Sequence, residues 1–183
     1  MPPRPALAQA MLLLLIALKA TTPFGQPAVT SDDGAALLTS HRLIVPIARV
    51  PRASLRDSFN ERRGANRHKA IDIAAARWTP VIAVGDGRVV KLFTSVAGGH
   101  ALYQFDPAEE FAYYYAHLES YAQDLREGMP VKRGDVLGYV GTTGNAKAGA
   151  PHLHFAIFRL GPERRWWQGV PANPYAFLND SEP

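Results

Sequence analysis

The chain has 183 residues, a formal charge of +4 and a pI near 9.5. That length supports one domain with a real core and excludes two of ordinary size, while 47 % hydrophobic and 20 % charged residues exclude wholesale disorder. Zero cysteines exclude a disulfide framework and any thiolate metal site. No Lys/Arg run exceeds two residues and no aromatic-basic interleaving resembles a nucleic-acid module; the charge is a mild preference for anionic surroundings such as acidic lipid or a cell wall, with a generally basic soluble protein as the plainer reading.

At the N-terminus, Arg4 precedes an unbroken apolar run from Met11 to Leu18, closed by Lys19 and a small/polar segment from Ala20 to Ala28. A run of about 8 apolar residues is too short to span a bilayer of about 30 Å and suits the core of an export signal. Residues 1–28 are therefore expected to be a signal peptide, with an uncleaved membrane anchor as the alternative. Residues 29–42 read as a linker with a short Ala/Leu stretch, and the folded part is expected to begin at Leu43-Ile44-Val45-Pro46-Ile47.

Downstream, short β-type segments alternate with turn signals. Thr79 to Val84 leads into Gly85-Asp86-Gly87, and Arg88 to Phe93 is expected as its hairpin partner. Ala101 to Phe105 and Phe111 to Leu118 flank an Asp106-Pro107 turn. Glu119 to Arg126 is expected as a short helical connection, Val131 to Gly141 as a turn and strand, and Leu153 to Arg159 as an apolar strand. Strands of about 5–6 residues at this spacing predict a mainly β, antiparallel sandwich or barrel. One segment stays undecided: His68 to Arg77 is rich in alanine, which favours helix, yet Ile71-Asp72-Ile73 alternates like a strand.

Chemistry concentrates on the histidines. In Pro151-His152-Leu153-His154-Phe155 a strand would turn both imidazoles to one face, making either a metal site or an acid/base pair. Asp72 lies between two isoleucines, where a buried carboxylate needs a metal ion or a histidinium as partner, the bland alternative being an edge-strand aspartate in solvent. His117 closes Tyr113-Tyr114-Tyr115-Ala116 and, taken singly, reads as a core histidine bonded to backbone carbonyls. Without cysteine, a zinc site must be built from imidazole and carboxylate; two histidines, one Asp/Glu and an open position is a standard catalytic set.

His68-x-x-x-Asp72, Tyr115-Ala116-His117-Leu118 and His152-Leu153-His154-Phe155 occur in that order. With Thr79-Pro80-Val81, Gly85-Asp86-Gly87-Arg88-Val89, Val131-Lys132-Arg133-Gly134-Asp135, Gly141-Thr142-Thr143-Gly144-Asn145 and Asn173-Pro174-Tyr175, they resemble the lysostaphin-type (LytM-like) zinc endopeptidases of bacterial peptidoglycan. The resemblance covers about Ile47 to Phe158. It implies a duplicated hybrid β motif, a β-sandwich/barrel-sandwich hybrid with a loop-walled zinc groove, and reads Ile71 to Ala74 as strand. It implies one zinc ion per chain on His68, Asp72 and His154, with His117 and His152 serving the attacking water or the oxyanion. His41 and His100 match no motif and are taken as structural or surface residues.

Two departures stand out. Trp78 occupies a place where many relatives have glycine, so a left-handed backbone there would be costly and could reshape the loop beside Asp72. Asp57 to Arg67 lacks the tyrosine that some relatives place before the first ligand; Arg62, Arg63, Asn66 or Arg67 is the candidate substitute.

The resemblance implies a zinc endopeptidase domain over 43–160, with 161–183 as an extension packed on it, acting as a monomer on stem peptides or cross-bridges of peptidoglycan. The expected location is the periplasm or cell envelope, or outside the cell. A non-hydrolytic regulator of cell-wall amidases with the same fold is the alternative, although such relatives typically lose zinc ligands. A zinc peptidase acting on a glycine-rich protein is a third reading.

Overall fold

The computed structural model describes residues 31–180, so the expected export signal lies outside the described residues. A helix, α1 (Ser31–Ser40), precedes eleven strands: β1 (Arg62–Arg63), β2 (Asn66–Arg67), β3 (Ile71–Ala74), β4 (Pro80–Ile82), β5 (Gly87–Ser95), β6 (Gly99–Phe105), β7 (Phe111–Tyr121), β8 (Pro130–Val131), β9 (Val136–Val140), β10 (His152–Leu160) and β11 (Gly169–Ala172). β1 and β2 form a separate hairpin. The other nine make one antiparallel sheet in the order β11-β10-β7-β6-β5-β8, with β3 added to β10 and β9 joining β7 to β4. The sheet does not close on itself, and the architecture is mainly β and antiparallel, as the sequence predicts.

Period-2 alternation explains the inner face. Leu153, Phe155 and Ile157 on β10, Phe111, Tyr113 and Tyr115 on β7, and Ile71 and Ile73 on β3 are all buried in one core with Val81, Val84, Leu137 and Val140. The alternating Ile71-Asp72-Ile73 pattern therefore wins over the alanine propensity nearby, because strand pairing buries both isoleucines at once.

Three local expectations are corrected. Arg88 to Phe93 is not the hairpin partner of Thr79 to Val84: β5 pairs with β6 and β8, and β4 pairs with β9. A two-residue type I′ turn needs φ > 0 at both central residues, whereas neither Gly85 nor Gly87 has a positive φ. Gly87 is needed for space, since a Cβ there would lie 2.0 Å from the Phe105 carbonyl oxygen. Glu119 to Arg126 is not helical; β7 continues to Tyr121 because its last turn of chain pairs with β9. Finally, Ser31–Ser40 within the expected linker is helical and places Leu38 in the core. At the other end of the chain β11 pairs with β10, and Asn179 exchanges backbone hydrogen bonds with Leu43 and Val45.

A buried polar chain ties the layers together. The Tyr115 hydroxyl donates to Gln104 Oε1 (2.7 Å) and accepts from the Val84 N–H (3.1 Å), and Gln104 Nε2 donates to the Gly85 carbonyl (2.8 Å). Tyr115→Phe leaves the Val84 donor and the Gln104 acceptor without this partner in a dry core. Denaturant titration is expected to show a loss of about 1–3 kcal/mol with the fold intact by circular dichroism.

Candidate metal and hydrolytic site

β10 places the histidine pair. Its residues His152 and His154 share the sheet's outer face, with Leu153 and Phe155 in the core, and the register puts His154 opposite Asp72 on β3 and Ala116 on β7. His68 arrives from the turn between β2 and β3, where its N–H donates to the Glu61 carbonyl and Lys69 takes a left-handed φ of 57°. The result is a triangle of donor atoms. His68 Nε2 and His154 Nδ1 are 3.1 Å apart, and Asp72 Oδ1 lies 3.1 Å from the first and 3.0 Å from the second.

These separations fit a metal ion. A tetrahedral zinc with bonds of about 2.0–2.1 Å sets its ligand atoms about 3.3 Å apart. Two imidazoles and one carboxylate are also the donor chemistry zinc accepts without cysteine. His68, Asp72 and His154 could hold such an ion, and they are the group with that capacity among the described residues.

Ring tautomers are set by backbone carbonyls, which can only accept. His68 Nδ1–H donates to Ser58 (3.1 Å), His117 Nδ1–H to Thr143 (2.9 Å) and His152 Nδ1–H to Ala150 (2.9 Å). Each of these rings therefore keeps Nε2 as its basic nitrogen. For His68 that nitrogen belongs to the donor triangle. His117 and His152 lie face to edge at 4.9 Å, and the His117 ring is 5.7 Å from that of His154.

His117 is 6 % exposed and reaches this surface through a left-handed backbone, φ 62°. Its N–H donates to the Gly98 carbonyl, and β7 shifts register on both edges nearby. The Gly141 to Asn145 loop holds it there. Thr143 accepts from His117 through its carbonyl, while its hydroxyl donates to the Leu118 carbonyl and accepts from the His100 N–H. Left-handed Gly99 and Gly144 permit the close approach; a Cβ on Gly99 would fall 2.1 Å from Thr143 Oγ1.

Electrostatics disfavours charge on two of the imidazoles, His68 and His117, and keeps the Asp72 carboxylate charged. Burial pushes His68 and His117 below the usual histidine value, although Asp72 opposes it at His68 and the Thr143 hydrogen bond opposes it at His117. Burial would raise the Asp72 carboxyl, but the His154 hydrogen bond and the nearby histidines hold it at about 2. Neutral imidazole and ionised carboxylate are the forms that bind metal.

A cavity of about 490 Å³ opens over these groups. Of the four candidate substitutes for the missing tyrosine, Arg63 lines it, with Nη2 donating to Asp72 Oδ2 at 2.8 Å; Arg67 is turned to the Asn60 carbonyl instead. Trp78 does adopt a left-handed φ, 71°, but it is 55 % exposed beside Tyr139 and does not line the cavity. His41 bonds the Tyr113 hydroxyl and His100 the Glu119 carbonyl, both away from the cavity. Ser58, Tyr114 and Lys147 were not among the candidates, and no local sequence pattern distinguishes them.

Comparison with known proteins finds relatives in sequence and in structure. The murein hydrolase activator NlpD of Salmonella typhimurium is 28 % identical over 159 residues, 86 % of this chain and 38 % of its own length. The DD-carboxypeptidase/endopeptidase Mpg of Neisseria meningitidis is 38 % identical over 108 residues, 58 % of this chain and 22 % of that protein. Among solved structures, the catalytic domain of lysostaphin from Staphylococcus simulans superposes with a TM-score of 0.54 at 25 % identity, over 79 % of this chain and 96 % of that one. The model of Peptidase family M23 matches residues 66–174, more than half of the chain: it belongs to that family.

Proposed function

We propose that the chain is a zinc-dependent endopeptidase that hydrolyses an amide of peptidoglycan, with His68, Asp72 and His154 as ligands and His117 and His152 as the acid/base pair. The observation that carries this reading is the converging donor triangle with two carbonyl-anchored imidazoles beside it. When bound, zinc lowers the pKa of its water to about 7 and supplies a nucleophile at neutral pH. His117 and His152 are held by Nδ1 and so present Nε2 to take the proton, and the N–H formed there can donate to the developing oxyanion. Arg63 fixes Asp72 by its outer oxygen, leaving Oδ1 to face the two histidines. All five residues of this site come from one chain, so a monomer suffices, and the cell envelope is where such a substrate lies.

The amide itself is open to choice, because relatives named as glycyl-glycine endopeptidase and as DD-carboxypeptidase/endopeptidase both match. A second reading, a non-hydrolytic activator of other wall hydrolases, is favoured by the long alignment with the murein hydrolase activator. The five complete site positions favour hydrolysis.

Zinc analysis and mass spectrometry of fragments released from purified sacculi separate the two. Wild type is expected to carry one zinc and to release peptides until a chelator is added. His154→Ala is expected to lose both metal and release. His117→Ala and His152→Ala keep the metal and lose release by about 10²-fold or more. A protein without stoichiometric zinc, or a cellular effect unchanged in His152→Ala, overturns the hydrolytic reading.

Arg63→Ala removes the outer hydrogen bond to a ligand carboxylate. Competition against a chelator is expected to show zinc affinity about 10- to 100-fold weaker, with Arg63→Lys in between because a point charge replaces the planar fork.

A further inference from the structure

The outer face of the sheet carries more than the histidines. Register sets Tyr114 on β7 opposite Ala156, two residues beyond His154 on β10, and opposite Tyr103 on β6, so both tyrosines share the histidines' face. Tyr114 lines the cavity with its ring 6.0 Å from that of His154, and the Tyr103 ring follows at 4.6 Å. From the loop between β10 and β11, Trp166 packs 5.1 Å from Tyr103 and 5.6 Å from Phe93, and Trp167 stands edge to face beside it at 5.1 Å. Aromatic contact therefore runs unbroken from the candidate metal site to that loop.

Core packing accounts for only part of this cluster. Phe105, Ala112 and Leu160 are buried with Trp166 packed against them, whereas Phe93, Tyr103 and Tyr114 stay half-buried and Trp167 is 61 % exposed. A ring that open adds little to a core, and an exposed tryptophan joined to further aromatics marks a contact surface. Its polar heads are open as well. The Tyr103 and Tyr114 hydroxyls and the Trp166 ring N–H bond no described group, and no buried side-chain nitrogen or oxygen lacks a partner among the described residues, so these three groups reach solvent.

A pyranose ring suits such a surface. Its C–H face packs on the electron-rich face of an indole or phenol ring, and the hydroxyl and acetamido groups on its rim take O–H and N–H donors. A lipid chain would use none of those donors. Resting on the hydrolytic role proposed above, we infer that Tyr103, Tyr114, Trp166 and Trp167 form a saccharide platform, which seats a sugar of the glycan strand while the peptide attached to it lies in the cavity. Sugar and peptide are covalently joined in peptidoglycan, so a sugar held on the platform raises the local concentration of the amide at the candidate metal site.

The test titrates the zinc-loaded full chain with chitotetraose, a peptide-free tetramer of N-acetylglucosamine, and reads tryptophan fluorescence and calorimetry. Wild type is expected to bind it, and Trp167→Ala, an exposed change outside the metal and hydrolytic residues, to bind about tenfold more weakly. Zinc content and cleavage of a sugar-free peptide are expected to be unchanged in that variant, while release of peptides from sacculi falls by a similar factor. No saccharide binding by wild type, equal binding by Trp167→Ala, or a response to phosphatidylglycerol vesicles alone overturns the inference. If wild type binds the saccharide, Trp167→Ala loses it and neither chain cuts a peptide, the platform stands and the hydrolytic role falls.

Discussion

The site depends on β10 being paired in fixed register along both edges at once. His154 lies opposite Asp72 on β3 and opposite Ala116 on β7, so one strand sets the distance between two candidate ligands and the approach of His117. A slip of one residue on either edge would turn His152 and His154 into the core and Leu153 and Phe155 into the cavity. Burial of Leu153, Phe155, Ile71 and Ile73 makes that slip costly, at about 1.5–3 kcal/mol for each large side chain exposed. Geometry on the outer face is thus maintained by hydrophobic burial on the inner one.

This explains which parts of the site were legible in the sequence. His152 and His154 obey period 2, and so do Ile71-Asp72-Ile73, hence a pattern of alternation was enough to put three of the five residues on one face. His117 does not obey it. Counting from Tyr113 and Tyr115, both buried inward, an unbroken strand would bury His117 with them; a left-handed residue and a register shift bring it out instead. Family resemblance supplied that residue, because backbone conformation at one position leaves no periodic trace. Gly85-Asp86-Gly87 misled for the reverse reason: it has hairpin composition, yet Gly87 is there for clearance against β6.

Left-handed backbone recurs around the site at Lys69, Trp78 and His117, each non-glycine, and each such residue costs of order 1–3 kcal/mol unless its surroundings over-determine it. At His117 they do. The Gly98 carbonyl takes its N–H, the Thr143 carbonyl takes its ring N–H, and the Gly99 and Gly144 approach locks Thr143 in turn. At Trp78 the N–H donates to the Val140 carbonyl and the Thr79 N–H to Ala76, so a tight turn feeding β4 fixes the conformation although the side chain is largely exposed. The strain there serves chain direction and leaves the cavity wall to other residues.

Four imidazoles and one carboxylate line one cavity, and three of these groups converge on a single point. His68 Nε2 and His154 Nδ1 face each other at 3.1 Å, so one must hold the proton between them; with the His68 Nδ1–H given to Ser58, a neutral pair has it on His154 Nδ1. Asp72 supplies the negative charge that makes the triangle attractive to a metal, and Arg63 keeps that charge from drifting toward solvent by holding the oxygen that the histidines leave free. An ion accepted by all three donors would replace the proton shared by the two rings, and its binding energy would add to the stability of the pairing that created the site. The register of β10 and occupancy of the triangle would therefore reinforce each other: burial builds the donor set, and a cation held there would resist any slip that disperses it.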